Sequence, residues 1–269
     1  MAKAFTTRES DDWDIVQRYD TLMYDPDHID YFSQSHFTNF GYWTPETRDQ
    51  CQACEDLMEQ LMAMVPEKKG SILDVACGKG GTTRHLLKYY DPAAVTAINV
   101  SSKQLETART AAPGCRFLLM DAANLDFEDS TFNNVICVEA AFHFDTRERF
   151  FRETARVLKP GGRLILTDIL MSREAERSKP YRTEKNYLAS PGDYRRLALN
   201  SGFVDAQVID ATEPCWGGCF WHAVRFIHER YLRHNVNQAG MQDFLRLTYR
   251  RAQQIQYYLL ACLRKGGDG

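Results

Sequence analysis

The stretch that decides the fold is Ser71–Thr83, SILDVACGKGGTT, in which a short apolar run leads into a glycine-rich turn and then a helical pattern. Parallel α/β sheets hold nucleotide-like ligands at such turns, because glycine lets the backbone approach the ligand closely. The GKGG spacing at 78–81 differs from the dinucleotide GxGxxG and lacks the Gly-Lys-Ser/Thr of a phosphate loop. With Asp74 four residues before the first glycine, the stretch predicts a different nucleoside ligand.

The bulk properties fit one large domain that can bury a full core: 269 residues, 44% hydrophobic, with a net charge of −3. The sequence has no run of about 18 apolar residues, so no membrane span is predicted. The polar, acidic start, MAKAFTTRESDDWD, is unlike a secretory signal, so we expect a cytoplasmic protein. Basic residues are mixed with acidic ones, as in RERF at 147–150, which is typical of a solvated helix face and argues against a nucleic-acid partner.

Eight cysteines raise the question of a metal site. Cys51 and Cys54 form a CxxC pair, and Cys215 and Cys219 form a second pair that could complete a zinc site. The first pair lies inside a helical pattern, however, whereas zinc-binding cysteines of this spacing sit on turns. We therefore favour buried free thiols and expect no metal.

From residue 71 onward, strand and helix patterns alternate, which predicts a parallel sheet with helices on both faces and ligands at the carboxyl ends of the strands. The predicted strands are Ser71–Ala76, Val95–Val100, Cys115–Met120, Asn134–Glu139, Arg163–Asp168 and Val204–Asp210. The predicted helices cover residues 9–23, 48–65, 82–90, 102–111, 146–158, 191–200, 222–234 and 241–254. The apolar Ile255–Leu263 could extend the last helix; we favour a seventh strand, because the sixth otherwise lacks a partner.

This pattern divides the chain into a core and three additions. The predicted segments are an N-terminal helical and aromatic cap (1–66), a core (67–168), an insert (169–189), a core continuation (190–211), a helical lid (212–254) and a last core strand (255–265).

Four motifs in order resemble the class I S-adenosylmethionine (SAM)-dependent methyltransferases, over roughly residues 35 to 265. They are ILDVACGKGG (72–81), FLLMDAANLDFEDSTFNNV (117–135), VEAAFHF (138–144) and ARVLKPGGRLILTD (155–168). The segment NFGYW (39–43) and the lid resemble the branch that methylates sugars, macrolides, polyketide–peptide products, sterols and prenyl chains. The resemblance implies a Rossmann-like α/β fold with a seven-stranded, mostly parallel sheet.

The resemblance also implies the cofactor contacts. Gly78 and Gly80 would let the backbone approach the methionine end of SAM, with Asp74 nearby ordering waters or the ammonium group. The family usually places an acidic residue after the second strand to hold both ribose hydroxyls; here Asn99 stands there and brings no charge, so Gln104 would share the task. The remaining expected cofactor residues are Ala76, Val100, Asp121 and Ala122 at the adenosine, and Glu139 and Ala140 below the methyl group.

The catalytic candidates are His143 and Asp168, which follow the fourth strand and end the fifth. Because neighbouring strands lie about 5 Å apart, both side chains could reach one cleft. An imidazole can remove a hydroxyl proton, and a carboxylate can orient it. The same pairing occurs in sugar O-methyltransferases that this chain resembles. A hydrogen-bonding histidine and a helix-capping acid remain the structural alternatives.

The acceptor side is less informative. Aromatic residues concentrate in the cap, the insert and the lid: Phe37, Tyr42, Trp43, Tyr187, Trp216 and Trp221. They predict contacts to a sizeable, partly apolar acceptor, although core packing explains each one equally well. We expect O-methylation of a natural product in secondary metabolism, by a monomer or homodimer. The alternatives are C-methylation of a prenyl or sterol-like acceptor, with Glu139 stabilising a cation, and a SAM-binding protein without catalysis.

Overall fold

The computed structural model describes residues 14–178 and 184–267. Its α-helices alternate with strands through the core and also form much of the three predicted additions. They are α1 (Ile15–Leu22), α2 (Pro26–Tyr31), α3 (Gln50–Ala63), α4 (Gly81–Leu86), α5 (Ser102–Ala111), α6 (Arg147–Val157), α7 (Arg173–Arg177), α8 (Pro191–Asn200), α9 (Gly218–Leu232) and α10 (Gln238–Gln254).

Seven strands form one sheet in the order β3-β2-β1-β4-β5-β7-β6. They are β1 (Ile72–Val75), β2 (Val95–Asn99), β3 (Arg116–Leu119), β4 (Phe132–Val138), β5 (Leu158–Met171), β6 (Phe203–Asp210) and β7 (Ile255–Lys265). The first five strands pair in parallel, whereas β7 runs antiparallel between β5 and β6. The predicted Rossmann-like fold and the seventh strand are therefore confirmed.

Local sequence sets the helix starts through side-chain caps. The hydroxyls of Ser101, Thr146 and Ser190 accept the backbone N–H of the third residue of α5, α6 and α8. Pro191 occupies the first position of α8, where its missing N–H costs nothing.

Two elements differ from the sequence prediction. α1 ends at Leu22, one residue before the predicted end, and a helix that was not predicted follows: α2 starts at Pro26, where the Asp25 carboxylate caps it. The fifth strand does not stop at Asp168; it continues to Met171, since Ile169 and Leu170 pair with β7. The insert therefore begins later than residue 169. Residues 9–13 of the first predicted helix lie outside the described residues.

Apolar side chains cover both faces of the sheet. One cluster packs α6 and α8 on β4 and β5 through residues such as Phe150, Phe151 and Tyr194, and the other packs α3 on the opposite face through Leu57 and Leu61. In the described parts of the chain, no helix is long and apolar enough to cross a bilayer.

The NFGYW segment connects the cap to the lid. The side chain of Gln50 on α3 donates to the carbonyls of Asn39 and Phe40 at 2.9 and 3.0 Å. The backbone N–H of Trp43 donates to the carbonyl of Pro214 at 2.8 Å, and its ring stacks on His222 with centroids 4.7 Å apart. The cap and lid are thus fixed together beside the carboxyl ends of the central strands.

Candidate active site

The turn between β1 and α4 runs through left-handed backbone. Ala76, Gly78 and Gly80 have φ angles of 59°, 54° and 89°. A Cβ on Gly80 would lie 2.8 Å from the Cα of Ala108 on α5, so only glycine permits this close approach of loop and helix. The loop therefore presents its backbone at the carboxyl end of β1, the position predicted for the methionine end of the cofactor.

Asp74 lies within β1 and is 1% exposed. Its carboxyl accepts a hydrogen bond from the Thr83 hydroxyl at 2.6 Å, which ties β1 to α4. Burial raises the pKa of Asp74 to about 7, although the Thr83 bond opposes the shift. The side chain thus shapes the loop; its expected effect on the cofactor's ammonium stays a prediction.

Asn99 and Gln104 meet at the end of β2. The Asn99 amide donates to the side-chain oxygen of Gln104 at 2.8 Å, and its own oxygen accepts the N–H of Val100 at 2.8 Å. Gln104 in turn donates to Asp20 on α1 at 2.7 Å. The sequence analysis paired Asn99 with Gln104 but missed the carboxylate of Asp20.

The residues expected near the adenosine follow β2 and β3. Val100 is 47% exposed and Ala122 is buried. Asp121 is exposed, and its carboxylate accepts the N–H of Ala123 at 2.9 Å, which shapes the turn. The structure places these residues at one sheet edge, and their contacts with the cofactor stay predictions.

His143 ends a 3₁₀ turn that follows β4. Its Nε2 lies 2.7 Å from the hydroxyl of Tyr19 on α1, and the two rings meet edge to face with centroids 5.3 Å apart. The side chain is partly buried. A hydroxyl can therefore reach Nε2 within hydrogen-bonding distance, which is the geometry a general base needs.

Asp168 does not orient His143 in this structure; it forms a buried ion pair with Arg147. The Arg147 Nε and Nη2 donate to the two carboxylate oxygens at 2.7 and 3.1 Å, and the N–H of Ile169 donates at 2.8 Å. Both residues are at most 1% exposed, and a buried carboxylate requires a countercharge. In this structure Asp168 is engaged with Arg147, and its predicted pairing with His143 stays a prediction. Of the charged residues in 147–150, Glu148 and Arg149 are exposed as expected, whereas Arg147 is buried.

Arg147 also connects the His143 loop with the insert. Its guanidinium donates to the carbonyls of Ile169 and Asn186, and its backbone N–H donates to the Asn186 side chain. Asn186 donates to the carbonyl of Phe144, next to His143, at 2.6 Å. A cation at the first position of a helix opposes the helix dipole, and this is the one local signal that Arg147 has a specific partner.

Glu139 directly follows β4 in a left-handed conformation with φ 51°. Its Oε1 accepts the hydroxyl of Tyr258 and the N–H of Phe40, both at 2.6 Å. Burial raises the pKa of Glu139 to about 8, although these two bonds oppose the shift. Burial therefore favours the protonated form of this carboxyl group. Beside it, Ala140 is nearly buried at 9% exposure and precedes the His143 turn.

Comparison with known proteins decides the family. The methyltransferase domain family matches residues 73–166. O-methyltransferase cnsE of Penicillium expansum is 30% identical over 196 residues, 66% of this chain and 67% of that protein. The 27-O-demethylrifamycin SV methyltransferase of Amycolatopsis mediterranei (strain S699) is 31% identical over 193 residues, 65% of this chain and 71% of that protein. The chain belongs to the SAM-dependent methyltransferases.

Solved structures agree with this fold. The [4+2]-cyclase SpnF matches with a TM-score of 0.69 at 21% identity, over 94% of this methyltransferase and 96% of that chain. The geranyl diphosphate C-methyltransferase of Streptomyces coelicolor A3(2), solved with S-adenosylhomocysteine (SAH), matches with a TM-score of 0.62 at 15% identity, over 91% and 96%. At these identities the likeness concerns the fold alone, and a cyclase beside a C-methyltransferase shows that this fold hosts different reactions.

The aromatic residues predicted to contact the acceptor separate into several environments. Trp216 is buried on the lid's first turn and packs against Phe40 with centroids 5.0 Å apart, beside Glu139. Phe37 is buried near His85 on α4, whereas Trp221 is 64% exposed. Trp43 packs on the lid. Tyr42 is partly buried in the cap, and Tyr187 lies against Arg173. Trp216 is thus the best placed, and contact of each with the acceptor stays a prediction.

The cysteines are spread over the cap, the core and the lid, and Cys77 lies in the glycine loop itself. All eight are free, and Cys54, Cys215 and Cys219 are buried. Among the described residues, no group of three or more His, Cys, Asp or Glu side chains is placed to hold a metal ion.

Proposed function

We propose that this methyltransferase transfers the methyl group of SAM to a hydroxyl oxygen of a small or mid-sized natural product, with His143 as general base. The observation that supports the proposal is the 2.7 Å contact between His143 Nε2 and the Tyr19 hydroxyl. It marks a position from which a hydroxyl group reaches the nitrogen. The two relatives, an O-methyltransferase and a 27-O-demethylrifamycin SV methyltransferase, agree with this acceptor class.

SAM, when bound, supplies an electrophilic methyl group. The protein's part is to hold the acceptor oxygen in line with that group and to accept its proton. His143 Nε2 takes the proton as the new C–O bond forms and the C–S bond breaks, leaving SAH and a methyl ether. The Tyr19 ring keeps the imidazole in place by its edge-to-face contact, and the acceptor hydroxyl takes the position at Nε2 that the Tyr19 hydroxyl holds in this structure. The aromatic surface of Phe40 and Trp216 accommodates the apolar part of the acceptor.

The test is incubation with isotopically labelled SAM and metabolite fractions of the source organism, with mass spectrometry to find the product and NMR to locate the methyl group. His143→Ala is expected to lower kcat by about 10²–10⁴-fold, the usual contribution of a general base. His228→Ala is the matched control, because His228 is exposed on α9. Near-normal turnover by His143→Ala contradicts the base assignment.

C-methylation is the second candidate, and Glu139 is the observation that favours it. The carboxyl group lies against Phe40 and Tyr258, and an ionised form there would stabilise a carbocation. Burial raises the pKa of Glu139 to about 8, and neither of its two hydrogen-bond donors is cationic, so the protein itself disfavours the ionised form that C-methylation requires. For this reason O-methylation is the first candidate.

Glu139→Gln distinguishes the two reactions. The amide oxygen can keep the bonds from Tyr258 and Phe40 while the negative charge is abolished. Under O-methylation we expect kcat close to that of the wild type. Under C-methylation we expect a loss of about 10²-fold or more, the range for removal of a group that stabilises transition-state charge.

A further inference from the structure

The carboxylate of Asp20 reaches the ribose side of the cofactor site from α1, an element outside the core. Its Oδ1 accepts the hydroxyl of Ser101 and the amide of Gln104, each at 2.7 Å. Gln104 is itself bonded to Asn99. Only the Gln104 side chain therefore separates the Asp20 carboxylate from Asn99, the position at which the family usually has an acidic residue.

Asn99 offers little to a ribose in this arrangement. Its oxygen accepts the N–H of Val100 at 2.8 Å, and its amide group donates to Gln104. Both polar ends thus already have protein partners, and neither carries charge. A carboxylate holds a vicinal diol well, because each charged oxygen has two lone-pair sites and can accept hydrogen bonds from both hydroxyls.

Several contacts fix α1 in this position. The Tyr24 hydroxyl lies 2.6 Å from Thr107 on α5 and donates to the carbonyl of Lys103 at 3.0 Å. The Lys79 ammonium of the glycine loop donates to the carbonyl of Met23 at 2.8 Å. The end of α1 is therefore anchored to both α5 and the loop, and the position of Asp20 follows from this anchoring.

We propose that Asp20 supplies the carboxylate that binds the ribose hydroxyls of SAM, the task otherwise assigned to residue 99. The bonds from Ser101 and Gln104 to Oδ1 hold the carboxylate in place. Among the described residues, no side chain or backbone group forms a hydrogen bond with Oδ2. Asp20 also retains accessible surface, so Oδ2 remains available to a ligand. The inference rests on the family's cofactor and is independent of the acceptor.

The experiment is isothermal titration of SAH, and of its 2′-deoxy and 3′-deoxy counterparts, into the full chain. Asp20→Asn is the informative variant, since the amide oxygen can keep the bonds from Ser101 and Gln104 while Oδ2 becomes a donor. It is expected to bind SAH about 10- to 100-fold more weakly, the value of a charge-assisted hydrogen bond. Asp14→Asn, the exposed cap of the same helix, controls for loss of charge and is expected to bind normally.

The deoxy ligands separate ribose binding from a structural effect. The wild type should bind the deoxy ligand that lacks a contacted hydroxyl about tenfold more weakly than SAH. Asp20→Asn should bind SAH and that deoxy ligand with nearly equal affinity. Asn99→Ala should discriminate between SAH and the deoxy ligands as the wild type does. This variant tests the proposal if Asp20→Asn does not fold. Normal SAH binding by Asp20→Asn, unchanged discrimination in that variant, or lost discrimination in Asn99→Ala would each overturn the proposal.

Discussion

Replacing Asp168 with Asn is expected to destabilise the fold far more than it slows methyl transfer, because the carboxylate is the countercharge of Arg147. Oδ1 accepts two donors and Oδ2 accepts the Arg147 Nε, so an amide at this position sets its NH₂ against a guanidinium N–H or a backbone N–H. The buried cation then loses its ion-pair partner and keeps the weaker attraction of Glu176.

The expected loss follows from burial. Arg147 is 1% exposed and Asp168 is 0% exposed, and breaking such a pair costs about 3–5 kcal/mol. For a chain of this size each kcal/mol lowers the melting temperature by about 2–4 °C, so the expected decrease is about 6–20 °C. Glu148→Gln is the matched control: it breaks the exposed Glu148–Arg152 pair one turn along α6, and exposed pairs of this spacing are worth only about 0.3–0.5 kcal/mol.

Chemical denaturation measures the loss, and kcat is measured well below the unfolding transition. We expect the folded Asp168→Asn protein to turn over at a rate close to that of the wild type. A stability loss under about 1 kcal/mol, combined with a fall in kcat of about 10²-fold or more, would show that Asp168 acts on His143 after all and would refute the ion-pair argument.

Two further predictions concern the glycine loop. Burial raises the pKa of Asp74 from 3.8 to about 7, so the folded chain binds a proton that the unfolded chain has lost, and stability falls as pH rises from 4 to 7. In Asp74→Asn the free energy of unfolding should fall by about 4 kcal/mol less between pH 4 and pH 8 than in the wild type, as measured by denaturation at the two pH values. An equal fall in both proteins contradicts this prediction. Gly80→Ala should weaken SAH binding and lower the free energy of unfolding. Left-handed strain alone costs about 1–3 kcal/mol. The expected loss is larger, because the new Cβ would also clash with Ala108. Gly161→Ala is the control: φ is also positive, but nothing lies within 4 Å of its Cβ, so an equal effect of both variants excludes a role for the Ala108 contact.

The sequence predicted the sheet well because strand periodicity and glycine turns are local signals. Ile255–Lys265 was placed correctly because β6 required a neighbour. Contacts between distant elements could not be predicted in this way. The RERF pattern reads as an exposed helix face, yet Arg147 pairs with Asp168, 21 residues further along the chain. Tyr19 lies 124 residues from His143, and only packing shows which face of α1 covers that turn.

The position of β7 has a consequence for how the chain folds. β6 is synthesised before β7, although β7 separates it from β5 in the finished sheet. Until β7 inserts, β5 and β6 present open edges whose backbone groups can pair with another chain. A chain cut before residue 255 would therefore contain the residues of the glycine loop and the His143 turn and still be prone to aggregation, since closing the sheet depends on the strand that comes last in the sequence.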